Sequence, residues 1–180
     1  EIFVVPRNLS IFGAMNSADR SVGTIDIALR RRFKFIPMNP EVNVIADELT
    51  LNHVNPQNVD GVNVIKLFDT INSRIELLLD RNHMIGQAMF MAVRNADDII
   101  RIIQDKIVPL MEEYFFNDLQ KIQMVWDESG ELRENAIYMH SILSADSYFD
   151  FVGDYLILDK KRYFINPNIT VTSIRHIYGE

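Results

Sequence analysis

Cysteine is absent from the 180 residues. That removes disulfides, thiolate zinc sites and cysteine nucleophiles in one step, and it fits a reducing compartment. Glycine is scarce, with 7 in all, and none stands in the Gly-x-x-x-x-Gly-Lys-[Ser/Thr] arrangement that wraps a phosphate. An acidic pair following a strand, the usual Mg²⁺ holder beside such a loop, is missing as well. Positive charge is also short: 18 Lys and Arg stand against 25 Asp and Glu, a net charge of -7. The chain as a whole is therefore not a nucleic-acid-reading surface. No apolar run approaches the roughly 20 residues needed to cross a bilayer. Glu1-Ile2-Phe3-Val4-Val5-Pro6 has no basic region leading into a long apolar core and does not read as a signal peptide. The four histidines, His53, His83, His140 and His176, lack the i, i+3 or i, i+4 spacing of a metal pair. Glu112 and Glu113 are adjacent on an expected helix, where neighbours do not face one another, so they form no carboxylate dyad.

What is present is an ordinary globular balance, 48% hydrophobic and 24% charged, long enough for one domain or two small ones. Three stretches differ in character. Residues 1–40 read as α/β. Leu9–Met15 suits a strand buried on both faces, with Leu9, Ile11 and Phe12 as its apolar positions. Asp26–Arg32 suits a short helix with Ile25, Ala28 and Leu29 inward. Phe33–Met38 suits a second strand stopped by Pro37 and Pro40. Residues 41–127 read as helical. Val42, Ile45, Ala46 and Leu49 are at helical spacing, and Val64, Ile65, Phe68, Ile71, Ile75, Leu78 and Leu79 make a long amphipathic stripe. Asn95 suits an N-cap with Asp97 and Asp98 in the first turn. The helix it opens carries apolar residues from Ile99 to Val125, with Pro109 inside the pattern as a kink or break. Residues 128–180 read as an extension: Tyr155–Leu158, a turn at Asp159–Arg162 and Tyr163–Ile165 predict a β-hairpin, and Thr172–Tyr178 a last helical turn or two.

The informative run is Pro6-Arg7-Asn8-Leu9-Ser10-Ile11-Phe12-Gly13-Ala14-Met15-Asn16-Ser17-Ala18-Asp19-Arg20-Ser21, followed by Asp26-Ile27-Ala28-Leu29-Arg30-Arg31-Arg32-Phe33. Taken singly, Asn16 suits a cap after a strand, Asp19 or Ser21 suits a helix cap, and three adjacent arginines suit a solvated face. Taken in order, the run resembles the McrB family of AAA+ GTPases, the motor subunits of modification-dependent restriction systems. Their signature is Met-Asn-Thr-Ala-Asp-Arg-Ser after a strand, then Ala-Leu-Arg-Arg-Arg-Phe; here Ser17 replaces the usual Thr.

The resemblance implies a set of roles. Asn16 matches sensor 1, a neutral donor and acceptor that orients water beside a γ-phosphate. Asp19 and Arg20 belong to the same signature: Asp19 as acceptor from that water or from a neighbouring subunit, Arg20 as its support or a phosphate contact. Arg30, Arg31 and Arg32 occupy the arginine-finger position that reaches the next subunit's site, with Arg31 and Arg32 favoured; a guanidinium forks onto phosphate oxygens as lysine does not. Asp80-Arg81-Asn82-His83-Met84-Ile85-Gly86-Gln87 resembles the family's lid loop, with Arg81 as a second sensor in contact with the nucleotide. Gln87 stands where the family commonly has His, which weakens a direct role at that position. Ile107–Phe115 resembles the late-lid pattern, its apolar residues reading as core.

The architecture so implied is the last strands of an AAA+ parallel sheet, then a helical lid, then a small C-terminal β-hairpin. The chain is expected to be the later half of the motor domain, without Walker A and B, and inactive alone. The intact protein is expected to use GTP or ATP with Mg²⁺ and to assemble as a homo-oligomeric ring, a hexamer. It is expected to work in the cytoplasm with a McrC-type nuclease and to meet DNA through other parts. Two other readings stay open: a MoxR-like remodelling ATPase, and a non-catalytic interaction module.

Overall fold

The computed structural model describes residues 6–15, 27–126, 136–147 and 158–180, and the chain forms two units, Glu1–Pro37 and Met38–Glu180. In the first unit, helix α1 spans Ile27–Arg30, inside the expected 26–32. Ala28, expected inward, is exposed. Residues 9–15 and 33–38 have no regular secondary structure, and their apolar side chains are open to solvent, Phe12 at 94%. A strand exists only as part of a ladder, and among the described residues no strand pairs with either segment. The apolar patterning is thus present here without the layer that would bury it.

The second unit is built around α3, Val64–Leu78. Asn63 caps its first turn, the side chain accepting from the Lys66 N–H at 3.0 Å. Val64, Phe68, Ile71 and Ile75 of the expected stripe are buried, joined by Leu67, while Ile65, Leu78 and Leu79 are half-buried at its margin. Helix α2 (Val42–Leu51) lies against α3 through Ile45 and Leu49. Before α3 the chain makes a two-residue turn in which Val59 and Val62 exchange backbone hydrogen bonds of 2.8 and 2.9 Å. Asp60 and Gly61 have φ of 50° and 92°, the pair of positive values that such a turn requires. The Asp60 carboxylate also accepts from the Ala96 N–H at 3.0 Å, tying the turn to the start of the next helix.

That helix, α4 (Ala96–Ile102), is capped as expected by Asn95, which accepts from the Asp98 N–H at 2.9 Å. It runs into a π-helical segment, Ile103–Ile107, and then α5, Val108–Tyr114, with Pro109 in its first turn. The expected break at Pro109 therefore takes the form of a widened turn. Proline supplies no N–H and its ring crowds the carbonyl four residues back, so the helix closes on i→i+5 bonds there. A second break was not foreseen. Helix α5 ends in a Schellman motif, with Asn117 N–H donating to Glu112 C=O at 3.0 Å and Phe116 N–H to Glu113 C=O at 3.2 Å. Only then does α6, Leu119–Trp126, begin. The left-handed position of that motif, usually glycine, is Phe116 at φ 50°.

A two-stranded antiparallel sheet and a last helix complete the unit. Strand β1, Tyr138–Leu143, pairs with β2, Lys160–Ile165, in the register Tyr138↔Ile165 to Leu143↔Lys160. This corrects the expected pairing. A hairpin is present, but Lys160–Arg162, expected in the turn, belong to the strand, and their registered partners are Leu143, Ile142 and Ser141. Residues 155–157 lie outside the described residues. Tyr138 donates to the Glu112 carboxylate at 2.9 Å, fixing the sheet to α5; burial and that carboxylate push the phenol well above its ordinary pKa. Helix α7 (Val171–Ile177) opens with a capping box between Thr170 and Ser173 and packs on α3. The Tyr178 hydroxyl accepts from the Asn63 N–H at 3.1 Å.

Phe116 generates the first prediction. Its side chain is 78% exposed, so replacing it loses little packing. The left-handed conformation costs a non-glycine residue roughly 1–2 kcal/mol, partly offset by glycine's larger entropy of unfolding. Phe116→Gly is expected to stabilise the chain by about 0.5–1 kcal/mol, read as a higher midpoint in urea denaturation. A lower midpoint would show that the ring is packed.

Candidate functional site

The loop between α3 and α4 is held by one buried amide. Asn72 lies on the inward face of α3, 2% exposed. Its Nδ2 donates to the Ile85 carbonyl at 3.1 Å and its Oδ1 accepts from the Ile85 N–H at 2.7 Å. Both backbone groups of one loop residue are thereby satisfied inside the core, where an unmatched polar group costs about 1–3 kcal/mol. Ile85 itself is buried, so the loop is pinned by its side chain as well as its backbone.

The other fixed point is a short 3₁₀ turn, Arg81–His83, capped by Asp80, whose Oδ1 accepts from the Asn82 N–H at 2.7 Å. The same oxygen accepts from His83 Nδ1 at 2.9 Å. The hydrogen bond from the His83 imidazole is the main reason that the Asp80 carboxyl sits below the usual carboxylate range. His83 is buried, its ring edge-on to Tyr114 of α5, with centroids 5.0 Å apart. Burial, with Glu113 beside it, pushes the Tyr114 hydroxyl up.

Arg81 is the first residue of that 3₁₀ turn. Its side chain is 66% exposed and its Nε lies 3.7 Å from Glu76 Oε1. An exposed ion pair of this length contributes little to stability. The loop is anchored, and what it presents outward is a guanidinium able to fork onto an anion. Gln87 begins a separate 3₁₀ turn, Gln87–Met89, and is half-buried.

The remaining sequence-predicted residues fall in the first unit. Asn16, Asp19 and Arg20 lie outside the described residues. Arg30 closes α1, and its guanidinium lies over the Phe35 ring, 5.1 Å from the centroid. Arg31 and Arg32 follow in the turn after α1, and all three side chains are exposed. Arg30 thus has an aromatic platform.

Sequence reasoning missed Asn72 and the Asp80–His83 pair. A signal for the first was available: an amide next to Ile71 inside an otherwise apolar stripe. The second was carried by the i, i+3 spacing of an acid and a histidine.

The residues 63–123 match the family model "McrB, alpha-helical lid domain". That span contains Asn72, the Arg81 loop and the whole run from α3 to most of α6. The chain is also similar to the type IV methyl-directed restriction enzyme EcoKMcrB subunit of Escherichia coli strain K12, 33% identical over 134 residues. The match covers 68% of this chain and 29% of that relative.

Two predictions follow from the loop. Asn72→Ala leaves both Ile85 backbone groups without their partner, and is expected to lower stability by about 2 kcal/mol and to speed amide exchange at Ile85. Unchanged exchange there would sink the assignment. Asp80 has a lowered folded-state pKa, so its contribution is present above the ordinary carboxylate range and is lost as pH falls through that lowered value. Exchange at the Asn82 amide, corrected for intrinsic rate, is expected to rise in that acid window and to be flat above it.

Together the two matches identify the chain as McrB-type, with residues 63–123 forming the α-helical lid domain of that family.

Proposed function

We propose that this chain is the sensor-and-lid part of a ring-forming AAA+ nucleoside triphosphatase in a methyl-directed restriction system. The observation that carries the reading is the lid match over residues 63–123, with its Arg81 loop anchored at Asn72 and at Asp80–His83. The signature run from Asn16 to Arg20 and the arginines Arg30–Arg32 support it from the sequence side.

In this reading residues 1–40 close an AAA+ α/β subdomain, 41–127 form the lid and 128–180 extend it. Asn16 orients the attacking water, with Asp19 and Arg20 beside it. One of Arg30, Arg31 and Arg32 acts across a subunit boundary on the charge that builds on the transferred phosphoryl group. Arg81 senses nucleotide from the lid. The nucleotide is GTP with Mg²⁺, and hydrolysis drives DNA translocation and cleavage through a McrC-type nuclease, in the cytoplasm. Among the described residues no helix is long and apolar enough to cross a membrane.

These 180 residues contain no phosphate-loop motif, so the cradle for the phosphates is supplied from elsewhere in the intact motor. Isothermal titration of the 180-residue chain with GTP or ATP is expected to show no tight binding; a tight complex would refute this division of labour. In the intact motor, Asn16→Ala is expected to lower GTP hydrolysis about 10²- to 10³-fold, the cost of losing one aligned polar group at the reacting phosphate. Hydrolysis that survived unchanged would remove Asn16 from the site.

A further inference from the structure

Phe116 is the residue least accounted for by the fold. Glycine is favoured at its left-handed position, yet a phenyl ring stands there, 78% exposed, held out at the α5–α6 corner by the two Schellman hydrogen bonds. Backbone strain with no packing return points to a use elsewhere. The turn that carries the ring is acidic, with exposed Glu113 and Asp118 close to it in sequence, while the Glu112 carboxylate is taken up by Tyr138.

The same unit has a hollow on another face of its surface. It is shallow, about 300 Å³, and lies between the Gln87–Met89 turn and the α4–π segment, with Met89, Ala92 and Ile102 as its apolar floor. Three cations rim it: Arg94, Arg101 and Lys106. Asp98, which bonds Arg101 at 2.7 Å, and Asp105 offset two of them. The hollow remains net positive in a chain whose overall charge is -7. Of the knob's two exposed carboxylates, Asp118 is paired with Lys121 at 3.6 Å, and among the described residues no salt bridge holds Glu113. Apolar centre and charged rim are therefore complementary between the two patches.

We infer that the Phe116 knob of one copy of this chain seats in the Met89–Ala92–Ile102 hollow of a second copy. Knob and hollow are different patches of one unit, so the contact is head-to-tail and repeats from copy to copy, closing a ring or extending a filament. One aromatic anchor with a charged rim makes a small interface, at the weak end of specific contacts. It adds to whatever else joins the copies. It does not rest on the arginine-finger contact proposed above, which uses other residues.

The absence of cysteine makes the test direct. Chains bearing Gln120→Cys, an exposed neutral position that leaves the ring and its carboxylates in place, are mixed with chains bearing Ala92→Cys and oxidised. The expected result is a mixed disulfide dimer well above the random share. Adding Phe116→Gly to the first chain is expected to lower that yield about tenfold, equivalent to roughly 1.4 kcal/mol of lost contact. Because Phe116→Gly is expected to stabilise the fold, a loss of yield accompanied by a higher unfolding midpoint is not a loss of structure. Random pairing, or an excess that survives Phe116→Gly, overturns the inference. A ring joined only through other faces gives the random result and leaves the nucleotide reading standing.

Discussion

Everything described in the second unit leans on the burial of α3. Five of its side chains, Val64, Leu67, Phe68, Ile71 and Ile75, are removed from water almost completely. At about 1.5–3 kcal/mol for each large apolar side chain, that stripe outweighs any polar contact in the unit. α2, α6 and α7 all pack on it. The order of the chain around α3 explains why the lid and the C-terminal extension form one compact unit. The last helix returns to the start of α3, where the Tyr178 hydroxyl meets the Asn63 backbone and the Glu180 side chain pairs with Lys66.

Within that apolar surface Asn72 is the deliberate exception. A leucine there would bury as much surface but would leave Ile85 N–H and C=O without partners. The amide gives up a little hydrophobic burial and in return sets the position of a loop that has no other secondary structure to hold it than two single 3₁₀ turns. The Asp80–His83–Tyr114 contacts then set the orientation of the turn bearing Arg81. The Arg81 side chain stays 66% exposed, with only a long ion pair to Glu76, while the backbone that carries it is held in place.

The helices of the second unit were legible because their burial is local and periodic. The α3 stripe, the Asn95 cap and the α2 positions Ile45 and Leu49 stand where 3.6-residue spacing puts them. The hairpin was legible as a type and misassigned in its partner. β2 pairs with Tyr138–Leu143 across a connection too long for any short-range turn signal, while Asp159–Arg162 mimicked a turn by polarity alone. The α5–α6 corner escaped because its left-handed residues are Phe116 and Asn117, at φ 50° and 59°, and the expected glycine signal is missing. In the first unit the opposite holds. Leu9–Met15 and Phe33–Met38 have the composition of buried strands, but a strand is defined by its neighbours, and no neighbour is among the described residues. Of the site, the Arg81 loop was found through a resemblance, whereas the groups that position it become visible only when α3 and the loop are brought together.

The π-helical segment has a geometric consequence for the helix around it. Ile99, Ile103, Ile107, Met111 and Phe115 are all buried, none more than 3% exposed, and each follows the last by four residues. A uniform α-helix turns about 100° per residue, so five positions at this spacing would drift by about 160° and carry Phe115 to the far side from Ile99. One wider turn between Ile103 and Ile107 takes back part of that drift. A strict four-residue repeat, which no single α-helix can keep on one face, is thereby held closer to one side. Pro109, met first as an interruption, works as the phase corrector that lets one helical rod bury a row of residues along its whole length.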